Sequence, residues 1–153
     1  MADLYRVNPG SMESIWKQVS ATWRERSQGR EGPSAEIRTL IMLREVDLWV
    51  ALPDRDHLAR DYRNQPLGVV VGWPEAKRLV VHMLAGRKIS TWLRPAVDRL
   101  DAYRRAKSLE GIDIYARSRW RPYLNLAAFN FPEVTIHTED GLAILAVPMK
   151  RSA

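Results

Sequence analysis

The stretch "VVHMLAGRKISTWLRPAVDRL", Val80–Leu100, decides how the chain is interpreted. An apolar run rich in valine ends at Ala85-Gly86, a basic pair follows, and a helical pattern begins near Thr91. This order predicts a strand, a glycine turn and the N-terminus of a helix, a geometry that many proteins use to hold a phosphate group. The alternative is a structural turn that carries two basic side chains on its surface.

The apolar periodicities on either side of this stretch predict alternating strands and helices. The predicted strands are Leu4–Val7, Val46–Leu52, Leu67–Trp73, Arg78–Leu84, Ile112–Ala116, Val134–Thr138 and Leu142–Val147. The predicted helices are Met12–Glu25, Ala35–Glu45, Thr91–Lys107 and Ser118–Phe129. The segment "PEAK" reads as a four-residue hairpin turn, and Glu139-Asp140-Gly141 as the turn of a final hairpin.

This order predicts an α/β fold with one mixed central sheet of about seven strands flanked by about four helices. The three strands between Val46 and Leu84 form a meander, and the strand after the long helix joins the sheet by a right-handed crossover. With 153 residues and no linker, the chain is expected to be a single domain over 1–153.

Composition excludes several classes of function. The chain has no cysteine, which excludes a disulfide scaffold, a thiolate zinc site and a cysteine nucleophile. No apolar stretch is long enough to span a membrane, and the N-terminus lacks the apolar core of a signal peptide. A net charge of +6 favours acidic partners, among them nucleic acid, or else a basic surface that keeps the protein soluble.

Three segments resemble a known family. "LREVDLWVAL", "GWPEAKRLVVHMLAGRKISTWL" and "GIDIYARSRWRPYL", in this order of elements, are similar to the GNAT acetyltransferases and, more narrowly, to small GNAT-like proteins of bacteriophages. The resemblance implies the GNAT fold and acetyl-CoA as the acyl donor. Some phage proteins of this kind are thought to serve inside virions, so the resemblance does not by itself imply catalysis.

In this family a pyrophosphate cradle with the pattern Q/R-x-x-G-x-G/A joins the fourth strand to the long helix. The resemblance places the cradle at Gly86, Arg87, Lys88, Ile89 and Ser90. Gly86 is followed by residues that carry a Cβ, and β-branched Ile89 suits no position that needs a positive φ. A structural turn is therefore one reading, and attraction of an anion by Arg87 and Lys88 is the other.

Two residues are candidates for proton transfer. His82 is the titratable side chain within a core-like strand, and its pKa could suit a general base. Tyr123 falls where the family places a general acid for the leaving thiolate, although a tyrosine on a short amphipathic helix also suits a core. The histidines His57, His82 and His137 have no metal-ligand spacing.

A further group of residues suggests binding rather than catalysis. In "ARSRWRPY", arginines alternate with aromatic residues, a composition that suits either nucleic acid or a protein interface. The candidate interaction residues are Trp73, Arg117, Arg119, Trp120 and Arg121.

Together these features favour a phage protein with a degenerate acetyl-CoA site that acts as a structural or interaction component of the virion. Its expected partners are other virion proteins or itself, and nucleic acid through the basic surface. Its expected location is the host cytoplasm during assembly and then the virion, with no cofactor. The alternative is an active N-acetyltransferase that uses acetyl-CoA, with Tyr123 as acid and either His82 or a bound water as base.

Overall fold

The computed structural model describes residues 1–26 and 33–138. Short 3-10 turns at Pro9–Ser11 and Ser118–Trp120 precede two of the helices. The strands are β1 Asp3–Arg6, β2 Asp47–Leu52, β3 Gly68–Glu75, β4 Arg78–Gly86, β5 Ile112–Ala116 and β6 Val134–Thr138. The helices are α1 Met12–Arg26, α2 Ala35–Met42, α3 His57–Arg60, α4 Ile89–Ala106 and α5 Arg121–Ala127.

The strands form one mixed sheet in the order β1-β2-β3-β4-β5-β6. Pairing is antiparallel from β1 to β4 and parallel from β4 to β6. The predicted α/β class, the meander and the crossover through the long helix are therefore confirmed. The predicted turn at Glu139–Gly141 and the strand Leu142–Val147 lie outside the described residues.

Helices cover both faces of the sheet and create two separate cores. On one face, α4 and α5 bury residues that include Trp92, Val97 and Leu124 against the strands. On the other face, α1 and α2 bury residues that include Met12, Trp23 and Ile41. Burial of this apolar surface stabilises the sheet from both sides, and it leaves β4 with core contacts on each face.

The hairpin between β3 and β4 is tighter than the predicted four-residue turn. Pro74 and Glu75 belong to β3, and Glu75 pairs with Arg78, so Ala76 and Lys77 alone form the loop. Both loop residues have a positive φ, 48° and 66°. Two-residue hairpin loops need this conformation because their twist then matches the strands. The tight turn brings the Glu75 side chain over its own hairpin, where it meets His82.

Candidate functional site

The sheet opens between β4 and β5. Only Leu79, Val80 and Val81 of β4 pair with β5, and the last pair is Val81–Ile114. β4 nevertheless continues to Gly86, while β5 stays paired with β6 along its whole length, from Ile112–Val134 to Ala116–Thr138. Beyond the last pair, the backbone groups of β4 and β5 that face each other do not hydrogen-bond to one another. Such groups can bond to a ligand that enters the gap.

A β-bulge lies at the point where the opening begins. Val71 pairs with Met83 and Gly72 pairs with Val81, so His82 is the extra residue on β4. Bulges bend a strand and change the direction of a side chain, and they are frequent beside active sites. Gly72 is required here, because a Cβ on it would lie 2.6 Å from the Val80 carbonyl oxygen.

The bulge turns His82 onto the face covered by α1 and α2. Its ring stacks on the buried ring of Trp73, with 3.8 Å between centroids and 17° between planes. Its Nε2 lies 3.0 Å from Oε2 of Glu75. Burial lowers the pKa of His82, and the Glu75 carboxylate opposes this effect in part. Because a carboxylate accepts hydrogen bonds, the neutral imidazole carries its proton on Nε2 and leaves Nδ1 as the basic nitrogen.

Beyond His82, the stack continues across the opening. The ring of Tyr115 on β5 is nearly parallel to that of His82, at 6.3 Å and 13°. His137 on β6 stacks on Tyr115 at 4.5 Å and 12°. The row Trp73–His82–Tyr115–His137 therefore crosses β3 to β6, with its widest spacing at the split in the sheet.

A second carboxylate supports the far end of this row. Asp113 on β5 accepts hydrogen bonds from Nε of Arg78, at 2.7 Å, and from Nε2 of His137, at 3.0 Å. The Arg78 guanidinium is the main cause of the lowered pKa of Asp113, and His137 adds to it. A charged and hydrogen-bonded frame thus holds Tyr115 and His137 beside the opening.

The predicted cradle, Gly86–Ser90, is a strand-to-helix turn at the open end of β4, and Gly86 has a packing role in it. It is the last residue of β4 and pairs with Gly68. A Cβ on Gly86 would lie 2.5 Å from the Leu67 carbonyl oxygen and 2.9 Å from Cζ2 of Trp92. The Trp92 indole also donates to the Arg87 carbonyl oxygen at 2.9 Å. Gly86 is therefore small so that the strand, the neighbouring strand and Trp92 can pack together.

The left-handed residue of this turn is Lys88, with φ 52° and ψ 41°. This conformation is unfavourable for residues other than glycine, and such strain often occurs at functional positions. Ile89 follows it as the first residue of α4, so the positive φ does not fall on the β-branched residue. The first amides of a helix lack an acceptor four residues earlier and favour an anion, although in α4 the Thr91 amide already donates to the Lys88 carbonyl oxygen at 2.9 Å. Arg87 and Lys88 add two positive charges beside them.

The two predicted proton-transfer residues are not brought together. His82 lies on the face of α1 and α2, whereas Tyr123 lies on α5, whose buried Leu124 and Ala127 belong to the core on the opposite face. The Tyr123 side chain is 47% exposed.

The predicted interaction surface is only partly at the surface. Trp73 and Trp120 are 1% and 4% exposed, so their assignment to an exposed surface is wrong. The α1–α2 core encloses Trp73, and Trp120 packs edge-on against Trp92. Arg121 bonds Thr138 through Nε and Nη2, Arg119 is exposed and Arg117 is half-buried. Neither tryptophan is therefore exposed beside these arginines.

Three residues near the opening are absent from the sequence-based site: Glu75, Tyr115 and His137. The sequence signal for these residues is the alternation in "IDIYA", which places Asp113 and Tyr115 on one face of the strand. Pairing between distant strands brings His137 beside them. Within residues 1–26 and 33–138, no group of histidine and acidic side chains is arranged to hold a metal ion. In the same residues, no helix has the length and apolar character to cross a membrane.

Comparisons with solved structures support the fold. An aminoglycoside acetyltransferase from an uncultured soil metagenomic sample, crystallised with trehalose, has a TM-score of 0.57 and 12% identity, with 97% of each chain covered. A ribosomal-protein-alanine N-acetyltransferase from Brucella melitensis biovar Abortus 2308 has a TM-score of 0.54 and 10% identity, covering 96% of this chain and 100% of that one. No protein-family model matches the chain, and no curated protein does.

These likenesses define the fold: the chain has the α/β fold of the GNAT acetyltransferases and is acetyltransferase-like in architecture. At this level of identity the relation extends to the fold alone. What the site does has to be argued from its own residues.

Proposed function

We propose that this protein binds an acyl-CoA thioester in the opening between β4 and β5 and transfers its acyl group to an amine. The observation that carries the proposal is the end of the β4–β5 ladder at Val81–Ile114, next to a bulged histidine. Beyond that pair the facing strand groups of β4 and β5 do not bond to one another, and α4 begins three residues after the end of β4. Fold and site are thus consistent with the same chemistry.

The charge of the turn suits the pyrophosphate of such a ligand, whereas the packing around its glycine does not. Arg87, Lys88 and the first amides of α4 supply positive charge and hydrogen-bond donors. Gly86 is half-buried, and Leu67 and Trp92 fill the space on the side where a Cβ would lie. Binding would therefore depend on side-chain charge and the helix terminus more than on glycines. Acetyl-CoA, when bound, supplies an activated thioester carbonyl.

His82 is the proposed general base. Glu75 holds its Nε2–H, so Nδ1 can accept a proton from the substrate ammonium before attack, or from the amine as it attacks the thioester carbonyl. A lowered pKa keeps the imidazole neutral near pH 7, the form that a base requires. Tyr123 stays the candidate for the acid. General-base catalysis contributes typically about 10²- to 10⁴-fold to a rate.

A second candidate function is non-catalytic. In it the acetyl-CoA site is degenerate, and the protein is a structural or interaction component of a phage particle, with virion proteins, itself or nucleic acid as partners. The packing role of Gly86 and the lysine at the left-handed position support it. The phage assignment rests on the sequence resemblance and stays a prediction, as do the interaction roles of Arg117, Arg119 and Arg121.

The experiment that tests the first candidate measures thiol release from acetyl-CoA in the presence of a panel of primary amines. Wild type, His82→Gln and the matched control His57→Gln are compared from pH 5.5 to 8.5. We expect the wild-type and His57→Gln rates to rise with pH and level off, and the His82→Gln rate to fall by about 10²-fold or more. Equal rates for His82→Gln and wild type would exclude His82 as the base. No release above the uncatalysed background, together with peptides of this chain in purified particles, would favour the second candidate.

A further inference from the structure

A groove of about 600 Å³ lies beside β1, an edge strand of the sheet, away from the opening between β4 and β5. One wall is α1, another is the end of β1, and the third is the segment Arg55–Tyr62 around α3. Volumes of about 300–1,000 Å³ are typical of small-molecule sites. β1 and β4 are separated by two strands, so this groove is not part of the proposed acyl-CoA site.

The groove has an apolar floor and an aromatic wall. The floor is made by the side chains of Val50, Leu52 and Leu58, which are themselves almost fully buried. Tyr5 and Tyr62 line the sides, and Tyr62 is 77% exposed. An apolar floor between two phenol rings suits a flat, apolar ligand body, because aromatic rings contact one another favourably when stacked or edge-on.

The charged side chains of the described lining are arginines. Among the described residues that line the groove, Arg6 and Arg55 are charged and none is acidic. Arg6 is already paired with Asp47 at 2.7 Å. Arg55 is exposed and forms no ion pair with a described residue. A guanidinium at the rim of an apolar groove favours a carboxylate, which it can bind through two parallel hydrogen bonds.

The third wall is fixed to α1 before any ligand binds. Nε2 of Gln18, a buried residue of α1, donates to the carbonyl oxygens of Leu58, Asp61 and Asn64 at 3.2, 3.1 and 2.7 Å. Thr22 donates to the Pro66 carbonyl oxygen at 3.0 Å. A wall that is already ordered lowers the entropic cost of binding.

From this combination we propose that the groove binds a small aromatic carboxylate, with the ring over Leu58 between the tyrosines and the carboxylate on Arg55. The groove is separate from the proposed acyl-CoA site, so this proposal does not depend on the proposed function.

Calorimetric titration with indole-3-acetate and its neutral analogue indole-3-acetamide tests the proposal. We expect the acid to bind the wild type about tenfold more tightly than the amide, as the loss of one charge-assisted hydrogen bond predicts. Arg55→Gln should remove this preference. The matched control Arg60→Gln should keep it, because Arg60 is paired with Asp54 and does not line the groove.

A steric variant tests the location. Ala59 is an exposed lining residue of α3, so Ala59→Trp should fill the groove without disturbing the core and abolish binding of both compounds. Ala59→Ser should preserve binding. The proposal is overturned if the wild type binds neither compound at millimolar concentration, if acid and amide bind alike, or if Arg55→Gln and Ala59→Trp behave as the wild type does.

Discussion

His82 and Glu75 face each other across the β3–β4 hairpin, with Nε2 and Oε2 3.0 Å apart. The pair lies where the sheet starts to open, since Val81 is the last residue of β4 that pairs with β5. A histidine oriented by a carboxylate is a common arrangement for proton transfer, because the carboxylate fixes the tautomer.

Folding stability should fall as the pH drops through the range in which His82 titrates. Burial lowers its pKa in the folded protein below the ordinary value of 6.5, so the unfolded chain takes up the proton first. The stabilisation is therefore complete above pH 6.5 and is lost as the pH falls toward the folded-state pKa. Urea denaturation at pH 7.5 and 5.5 measures the change. The wild type should lose more stability than His82→Gln. An equal loss in both proteins would contradict the lowered pKa.

Gly86→Ala should destabilise the protein by about 2 kcal/mol, within the range for overpacked sites. The added Cβ would meet backbone atoms of Leu67 and Gly68 at 2.5 and 2.7 Å, which cannot move aside as a side-chain end can. Gly10→Ala is the matched control, because its Cβ would meet only the Asn8 side chain, at 3.4 Å. Thermal denaturation of both variants gives the comparison. If Gly86→Ala is as stable as Gly10→Ala, Gly86 has no packing role.

Lys88→Gly should be more stable than Lys88→Ala by about 1 kcal/mol. Both variants remove the charge, but only glycine adopts a φ of 52° without a steric penalty. The difference in urea midpoint between the two variants isolates the backbone strain. Equal stability, or a more stable alanine variant, would mean that residue 88 is not held in the left-handed conformation.

Much of the fold can be predicted from the sequence, because its strands are apolar runs that must be buried. The strands around Trp49, Val70, Val81 and Ile114 lie where their patterns predict them, within a few residues. Helix α2 ends earlier than predicted, at Met42, because Arg44 adopts a φ of 64°. Local patterns define such elements well, whereas their ends depend on single residues.

The site was less predictable for physical reasons. The bulge at His82 depends on the register between β3 and β4, which no local pattern specifies. Trp73 comes just before a turn and Trp120 lies within a basic segment, yet tertiary contacts bury both. The relation of Tyr115 to His137 comes from parallel pairing of β5 with β6, strands that are distant in sequence.

The central claim is that the opening between β4 and β5, with the turn at Lys88, holds an acyl-CoA. Calorimetric titration of the purified chain with acetyl-CoA tests it most directly, with Lys88→Glu as the charge reversal and Lys107→Glu, at the far end of α4, as the control. The account predicts saturable one-to-one binding by wild type and Lys107→Glu, and binding weakened about tenfold or more by Lys88→Glu. Absence of binding at millimolar acetyl-CoA, or equal binding by all three proteins, would contradict it.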